Sequence, residues 1–278
     1  MSSSLTVELP IMLLSAFSLE QVKPYTLCTP DRLENLATLC HYLNAHAIPG
    51  DFVECGTYKG GSAAILSKFL AQRHLWLYDS FEGMPTTTEK DGEDAKRWIG
   101  ECVATIADVK AVLSAVGTSE SSYTIKPGWF ETTFEQELPQ QIALLHCDAD
   151  WYDSVTLVLE TFYPRLAIGG CVVLDDFGHW EGCREAFYDF CNRQGEKPLL
   201  ERIGTDQAFW IKGRSNNRSP IPQVNHSGNQ SFETLQALEQ KLQTLQLELE
   251  QARSTITAME TSKFWKLRSL WFRLKQLV

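Results

Sequence analysis

Apolar residues recur along this chain in two rhythms. Short unbroken runs at Phe52 to Glu54, Leu75 to Asp79, Tyr123 to Lys126, Ile142 to Cys147 and Cys171 to Leu174 are bounded by polar residues or glycine. Such runs are how strands buried on both faces read. Between them the spacing turns helical, at Ser62 to Ala71, Ala107 to Ala115, Ser154 to Tyr163 and Cys183 to Asn192. Ahead of the first strand, Leu33, Leu36, Leu39, Cys40 and Leu43 form a helical stripe. Thr29-Pro30-Asp31 before it supplies a capping hydroxyl, a proline suited to the first helical position and an acid for the positive end of the dipole. Regular alternation of strand and helix predicts a doubly wound, mostly parallel sheet. Two last runs, Leu199 to Ile203 and Ala208 to Ile211, stand too close together for a crossover and predict an antiparallel hairpin. The fold class expected is α/β, with seven strands.

The same patterning divides the chain. Residues 1–28 contain the apolar run Leu9 to Phe17, too short for a span and without a basic residue ahead of it, so it reads as a packed segment or a flap rather than a signal peptide. Residues 29–213 form the catalytic-size domain. Residues 214–230 turn to Ser, Asn, Pro and Gly, the composition of a linker. In 231–278, Leu235, Leu238, Leu242, Leu245, Leu249, Ala252, Ile256 and Met259 keep heptad steps. That is a coiled-coil helix joining copies into a homo-oligomer, or a single amphipathic helix folded back on the domain. Its end, Lys263 to Lys275, interleaves five cations with aromatics and leucines, which suits peripheral contact with an anionic membrane or a partner protein.

A net charge of −10 argues against nucleic-acid partners, which require a continuous excess of Lys and Arg. Eight cysteines lie scattered without a CxxC, several inside apolar runs, as expected of reduced thiols in a cytoplasmic protein.

Chemistry concentrates at the C-terminal ends of the predicted strands, the edge where open α/β sheets bind ligands. Asp148 closes one run and Asp175-Asp176 the next. Three carboxylates meeting in a crevice call for a cation, and an oxygen-only set favours a hard one: Mg2+, with Ca2+ and Mn2+ as alternatives. Asp150, two residues on, competes with Asp148, and His146 and His179 compete as bases or substrate contacts, although a satisfied core or surface role is the commoner fate of such histidines. Glu54-Cys55-Gly56-Thr57-Tyr58-Lys59-Gly60-Gly61-Ser62 joins the first strand to its helix, and Asp79 follows Gly56 at the interval of a ribose-binding acid. The glycine spacing is not that of a dinucleotide loop. Between Gly83 and Ala104 lies a polar insertion with Glu89, Asp91, Glu93 and Asp94, either a lid or a solvated surface.

Five blocks in order, Phe52 to Ser62, Asp79 to Pro85, Gly128 to Phe130, Asp148 to Ser154 and Gly169 to Asp176, resemble the macrocin-type sugar O-methyltransferases across residues 29–213. The resemblance implies a Rossmann-like class I methyltransferase fold and S-adenosylmethionine as cofactor. It puts Glu54 and the loop of Gly56, Tyr58, Gly60, Gly61 and Ser62 at the methionine portion, Asp79 and Ser80 at the ribose, and Gly128 and Trp129 at the adenine. It also implies a divalent ion on Asp148, Asp175 and Asp176 and, as acceptor, a sugar of a glycoside, glycan or secondary metabolite; metal coordination of two neighbouring hydroxyls would lower the pKa of one, whose proton Asp148 is placed to take. A catechol-like acceptor would use the same chemistry, and a non-catalytic adaptor recruited through the tail is the reading furthest from it.

Overall fold

The computed structural model describes residues 16–213, all within the first of two units into which the chain divides, Met1–Ser219. The heptad segment, the basic end, the linker and most of the N-terminal apolar run lie outside the described residues. Helix α1 (Ala16–Val22) leads through a short turn into α2 (Pro30–Ala45). Strand β1 (Asp51–Cys55) and α3 (Gly61–Ser67) follow, then β2 (Leu75–Asp79), α4 (Ile106–Ala115), β3 (Tyr123–Pro127), the single turn α5 (Phe130–Thr133) and β4 (Ile142–Cys147). The domain closes with α6 (Tyr152–Phe162), β5 (Leu166–Leu174), α7 (Glu181–Gln194), β6 (Glu201–Ile203) and β7 (Gln207–Ile211).

One seven-stranded sheet runs in the order β3-β2-β1-β4-β5-β7-β6. Its first five strands pair in parallel, and β7 is antiparallel to both β5 and β6, the hairpin that the short spacing predicts. Alternate residues of β1 feed opposite faces. Phe52 packs with Leu36, Leu66 and Val112 on the α2, α3, α4 side, while Val53 and Cys55 join Val155, Leu159 and Phe187 on the α6, α7 side. The order reverses between β1 and β4, so the crevice beyond their C-terminal ends is where a ligand should sit.

Two local expectations are corrected. Thr29 flanks α2 in extended conformation, but its hydroxyl bonds to Asp31 instead of a helix amide, so Pro30 and Asp31 carry the helix start. Strand β5 begins at Leu166, five residues before the apolar run, because Gly169 and Gly170 interrupt the pattern without ending the strand. A Cβ on Gly170 would lie 2.9 Å from the Ala143 carbonyl oxygen, so close strand approach requires the glycine.

The polar insertion is anchored at Asp91 and Ala95, which are buried, while Glu89, Glu93 and Asp94 face solvent. Met84 N donates to Glu101 O and Gly100 N to Met84 O, each at 2.9 Å, closing the loop on itself. Asp91 is 2% exposed. Its Oδ1 accepts from Tyr152 N at the start of α6 (2.6 Å), and its Oδ2 accepts from Thr88 N (2.6 Å) and Thr88 Oγ1 (2.8 Å). A carboxylate there satisfies an orphan amide and meets the positive helix end. Gly182 of α7 makes the room, since a Cβ on it would stand 1.9 Å from Asp91 Oδ1.

Candidate active site

A cavity of about 330 Å³ opens beyond the ends of β1, β2 and β4. On one side the β1–α3 loop is folded over Asp79. Thr57 N and Tyr58 N donate to Asp79 Oδ2 at 2.8 and 2.7 Å, and Phe81 N donates to Oδ1 at 2.7 Å. Burial raises the Asp79 pKa, and these three amides counter that without cancelling it. Tyr58 and Phe81 hold left-handed backbones at φ +49° and +59°, conformations that non-glycine residues reserve for constrained places.

Acids line the opposite side. Carboxylate oxygens of Asp148, Asp150 and Asp176 lie within 4.8 Å of one another. A second group, Asp148, Asp175 and Cys28 Sγ, meets the same distance. Burial, then repulsion among the acids, pushes Asp148 and Asp150 well above the usual carboxylate range, and burial together with Asp175 pushes Asp176 up to about 6. Asp176 Oδ2 is buried without a hydrogen-bond partner. An unpaired carboxylate oxygen among other acids fits a site completed by a cation.

Asp175 differs from its neighbours. Burial pushes its pKa up, but His146, Arg32 and Gln207 outweigh this and hold it below the usual range. Arg32 Nη1 pairs with Oδ2, while Gln207 Nε2 donates to Oδ1 at 2.7 Å and His146 Nε2 lies 3.5 Å from the same oxygen. His146 Nδ1 then meets Glu54 Oε1 at 2.9 Å, and Asn35 Nδ2 donates to Gln207 Oε1 at 2.6 Å. Burial opposes a charged His146, yet the two carboxylates overcome it and raise its pKa to about 9. This buried relay crosses β1, β4, β5 and β7 beneath the cavity and fixes the direction of Asp175. Gln207→Leu removes a hydrogen bond to a charged group and strands Asn35, so unfolding free energy should fall by about 2 kcal/mol in urea titrations. An unchanged midpoint would show that the relay does not hold the fold.

A family model, macrocin-O-methyltransferase (TylF), matches residues 21–212. The chain belongs to the macrocin-O-methyltransferase family. As a member it is an S-adenosylmethionine-dependent O-methyltransferase. Among its relatives is the 8-demethyl-8-(2,3-dimethoxy-alpha-L-rhamnosyl)-tetracenomycin-C 4'-O-methyltransferase of Streptomyces olivaceus, 31% identical over 71% of this chain and 79% of that one. Mycinamicin III 3''-O-methyltransferase of Micromonospora griseorubida is 29% identical over 67% and 78%. The solved O-methyltransferase NovP superposes with a TM-score of 0.64 at 26% identity, covering 68% of this chain and 83% of that one. The calicheamicin methyltransferase CalS11, at TM-score 0.57 and 20% identity over 74% and 88%, shares the fold.

Within this macrocin-O-methyltransferase-family site, not every residue singled out from sequence reaches the cavity. Gly56, Tyr58, Ser62, Asp79, Ser80 and Trp129 line it, as do Asp148, Asp150, Asp175, Asp176 and His179. Glu54, Gly60, Gly61 and Gly128 are not among its lining. Glu54 is fully buried: its Oε1 meets His146 Nδ1 in the relay, and its Oε2 has no hydrogen-bond partner among the described residues. His146, also fully buried, is a satisfied core histidine and not a base. Gly60 abuts Val109 and Val112, and Gly61 abuts Tyr25 and Thr26, so both shape the loop from behind. Sequence reasoning missed Cys28, Arg32, Trp98 and Trp180, which also line the cavity. A signal existed for Arg32: with Asn35 it places polar groups beside the apolar stripe of α2, and both are buried.

Proposed function

We propose that this chain moves the sulfonium methyl of S-adenosylmethionine to a hydroxyl of a sugar diol, using a divalent cation, Mg2+ by preference, held by Asp148, Asp175 and Asp176. What carries the reading is the shared cavity: the loop folded on Asp79 and the acids around Asp148 face one space, and at the switch point Asp148 N donates to Cys55 O at 2.8 Å, directly beside Gly56. The orphaned Asp176 Oδ2 and the repulsion among the acids support the cation. When bound, it supplies a Lewis acid that lowers the pKa of a coordinated hydroxyl.

The chain's own groups do the rest. The β1–α3 loop, with Ser80 and Trp129, holds the cofactor so that its methyl faces the acids. Asp148 accepts the proton of the acceptor hydroxyl as oxygen attacks the methyl carbon in line; the O–C bond forms, the S–C bond breaks, and a methyl ether and S-adenosylhomocysteine result. Asp175, fixed by Arg32 and Gln207, keeps its charge beside Asp148. Rate then comes chiefly from positioning and from fixed charge. Relatives whose names place the methyl on a rhamnosyl 4'-oxygen and on a 3''-oxygen support a sugar acceptor.

Tritiated-methyl transfer to p-nitrophenyl α-L-rhamnopyranoside and to catechol tests the reading. Label should enter the glycoside, stop with chelator and return with Mg2+. Transfer to catechol alone would overturn the sugar acceptor, and transfer undiminished by chelator would overturn the cation.

A further inference from the structure

The anchored insertion carries a large aromatic ring to the acid side of the cavity. Trp98 stands in a polar stretch, lines the cavity and leaves 42% of its surface exposed, an expensive place for an indole without a ligand. Its ring lies 6.4 Å from that of Trp180 at 75°, so the two form a corner. Trp180 is itself fixed: its Nε1 donates to Asp150 Oδ1 at 2.9 Å, and its ring meets Trp151 edge-on at 4.9 Å. Trp151 Nε1 in turn donates to Pro85 O at 3.0 Å, which ties this corner back to the base of the insertion. One indole therefore touches the acid group while the other offers a free face at the cavity mouth.

We propose that Trp98 and Trp180 form the acceptor subsite, with the C–H face of a pyranose ring stacked on Trp98 while its hydroxyl edge reaches the acids. The proposal rests on the sugar O-methylation reading and names the residues that select its substrate. A pyranose suits the corner because its axial C–H bonds carry partial positive charge toward an aromatic face, whereas its equatorial hydroxyls point outward at the rim. Asp91 is pinned to the start of α6 and Ala95 is fully buried, so the segment that carries Trp98 is anchored to the domain on its N-terminal side.

The experiment compares wild type, Trp98→Phe and Trp98→Ala with p-nitrophenyl and methyl α-L-rhamnopyranosides as probes, alongside calorimetric titration of S-adenosylmethionine. Trp98→Ala should raise KM for both glycosides about tenfold, the equivalent of one lost stacking contact, with kcat changed less than about threefold. Trp98→Phe should recover most of the loss, and cofactor affinity should stay put in all three proteins. An unchanged glycoside KM in Trp98→Ala, or an equal loss of cofactor affinity, overturns the subsite. A wild type that methylates catechol and neither glycoside overturns the sugar reading beneath it, and it does so before any variant is compared.

Discussion

Asp148→Asn should lower kcat by roughly 10²–10⁴-fold, the usual worth of a positioned proton acceptor, while S-adenosylmethionine binds as before. Asparagine keeps the shape of aspartate and one oxygen acceptor but can neither take a proton nor bring charge to a cation. Cofactor affinity is spared because the loop contacts run through Asp79. Asp148→Asn should also raise the melting temperature in chelator. Burial and neighbouring acids raise the Asp148 pKa in the fold, so its ionised form is disfavoured there relative to the unfolded chain, and at neutral pH the charge opposes folding. Lower activity joined to higher stability is the mark of a residue kept for chemistry. Asp150→Asn is the comparison: Asp150 already accepts from Trp180 Nε1 and holds φ +56°, a conformation asparagine tolerates, so turnover should fall less than about tenfold. Equal losses in the two variants would remove Asp148 from its place as the base.

The fold was legible wherever burial wrote a pattern. Strand β4 is buried along its whole length, and its apolar run matches Ile142–Cys147 at both ends. Strand β5 is misread at its start because Gly169 and Gly170 serve close packing, and glycine in sequence looks like an end. Acids at strand ends were legible for a similar reason: a carboxylate closing an apolar run has few places to go but the crevice. Their partners were not. Arg32 and Gln207 reach Asp175 from 143 and 32 residues away, and nothing local marks such a pairing. Glu54 is a further case: its place before the glycine loop was legible, while the pairing of its Oε1 with His146, 92 residues away, was not.

Gly56→Ala is expected to damage both halves of the site at once. Gly56 directly follows β1 at φ +87°, and a Cβ built there would fall 1.7 Å from the carbonyl oxygen of Asp148 and 2.7 Å from its carbonyl carbon. Backbone, not a flexible side chain, fills that space, so the cofactor loop and the acid loop must part. Two penalties add: about 1–2 kcal/mol for a side chain in left-handed conformation, and about 1–3 kcal/mol for forcing packed atoms aside. The sum, about 2–5 kcal/mol, is a large fraction of the ~5–15 kcal/mol that holds an ordinary domain together. Urea denaturation should therefore show a steep loss of stability, and calorimetry a loss of S-adenosylmethionine binding in the protein that remains folded. Gly195→Ala isolates the first penalty: Gly195 closes α7 at φ +68° with nothing within 4 Å of its would-be Cβ, so only about 1 kcal/mol should be lost there. If the two variants were equally stable, the close approach at Gly56 would not be what this glycine is for. If Gly56→Ala is the worse by several-fold, the glycine is what lets the end of β1 touch the end of β4, and so brings the β1–α3 loop beside Asp148, the proposed proton acceptor.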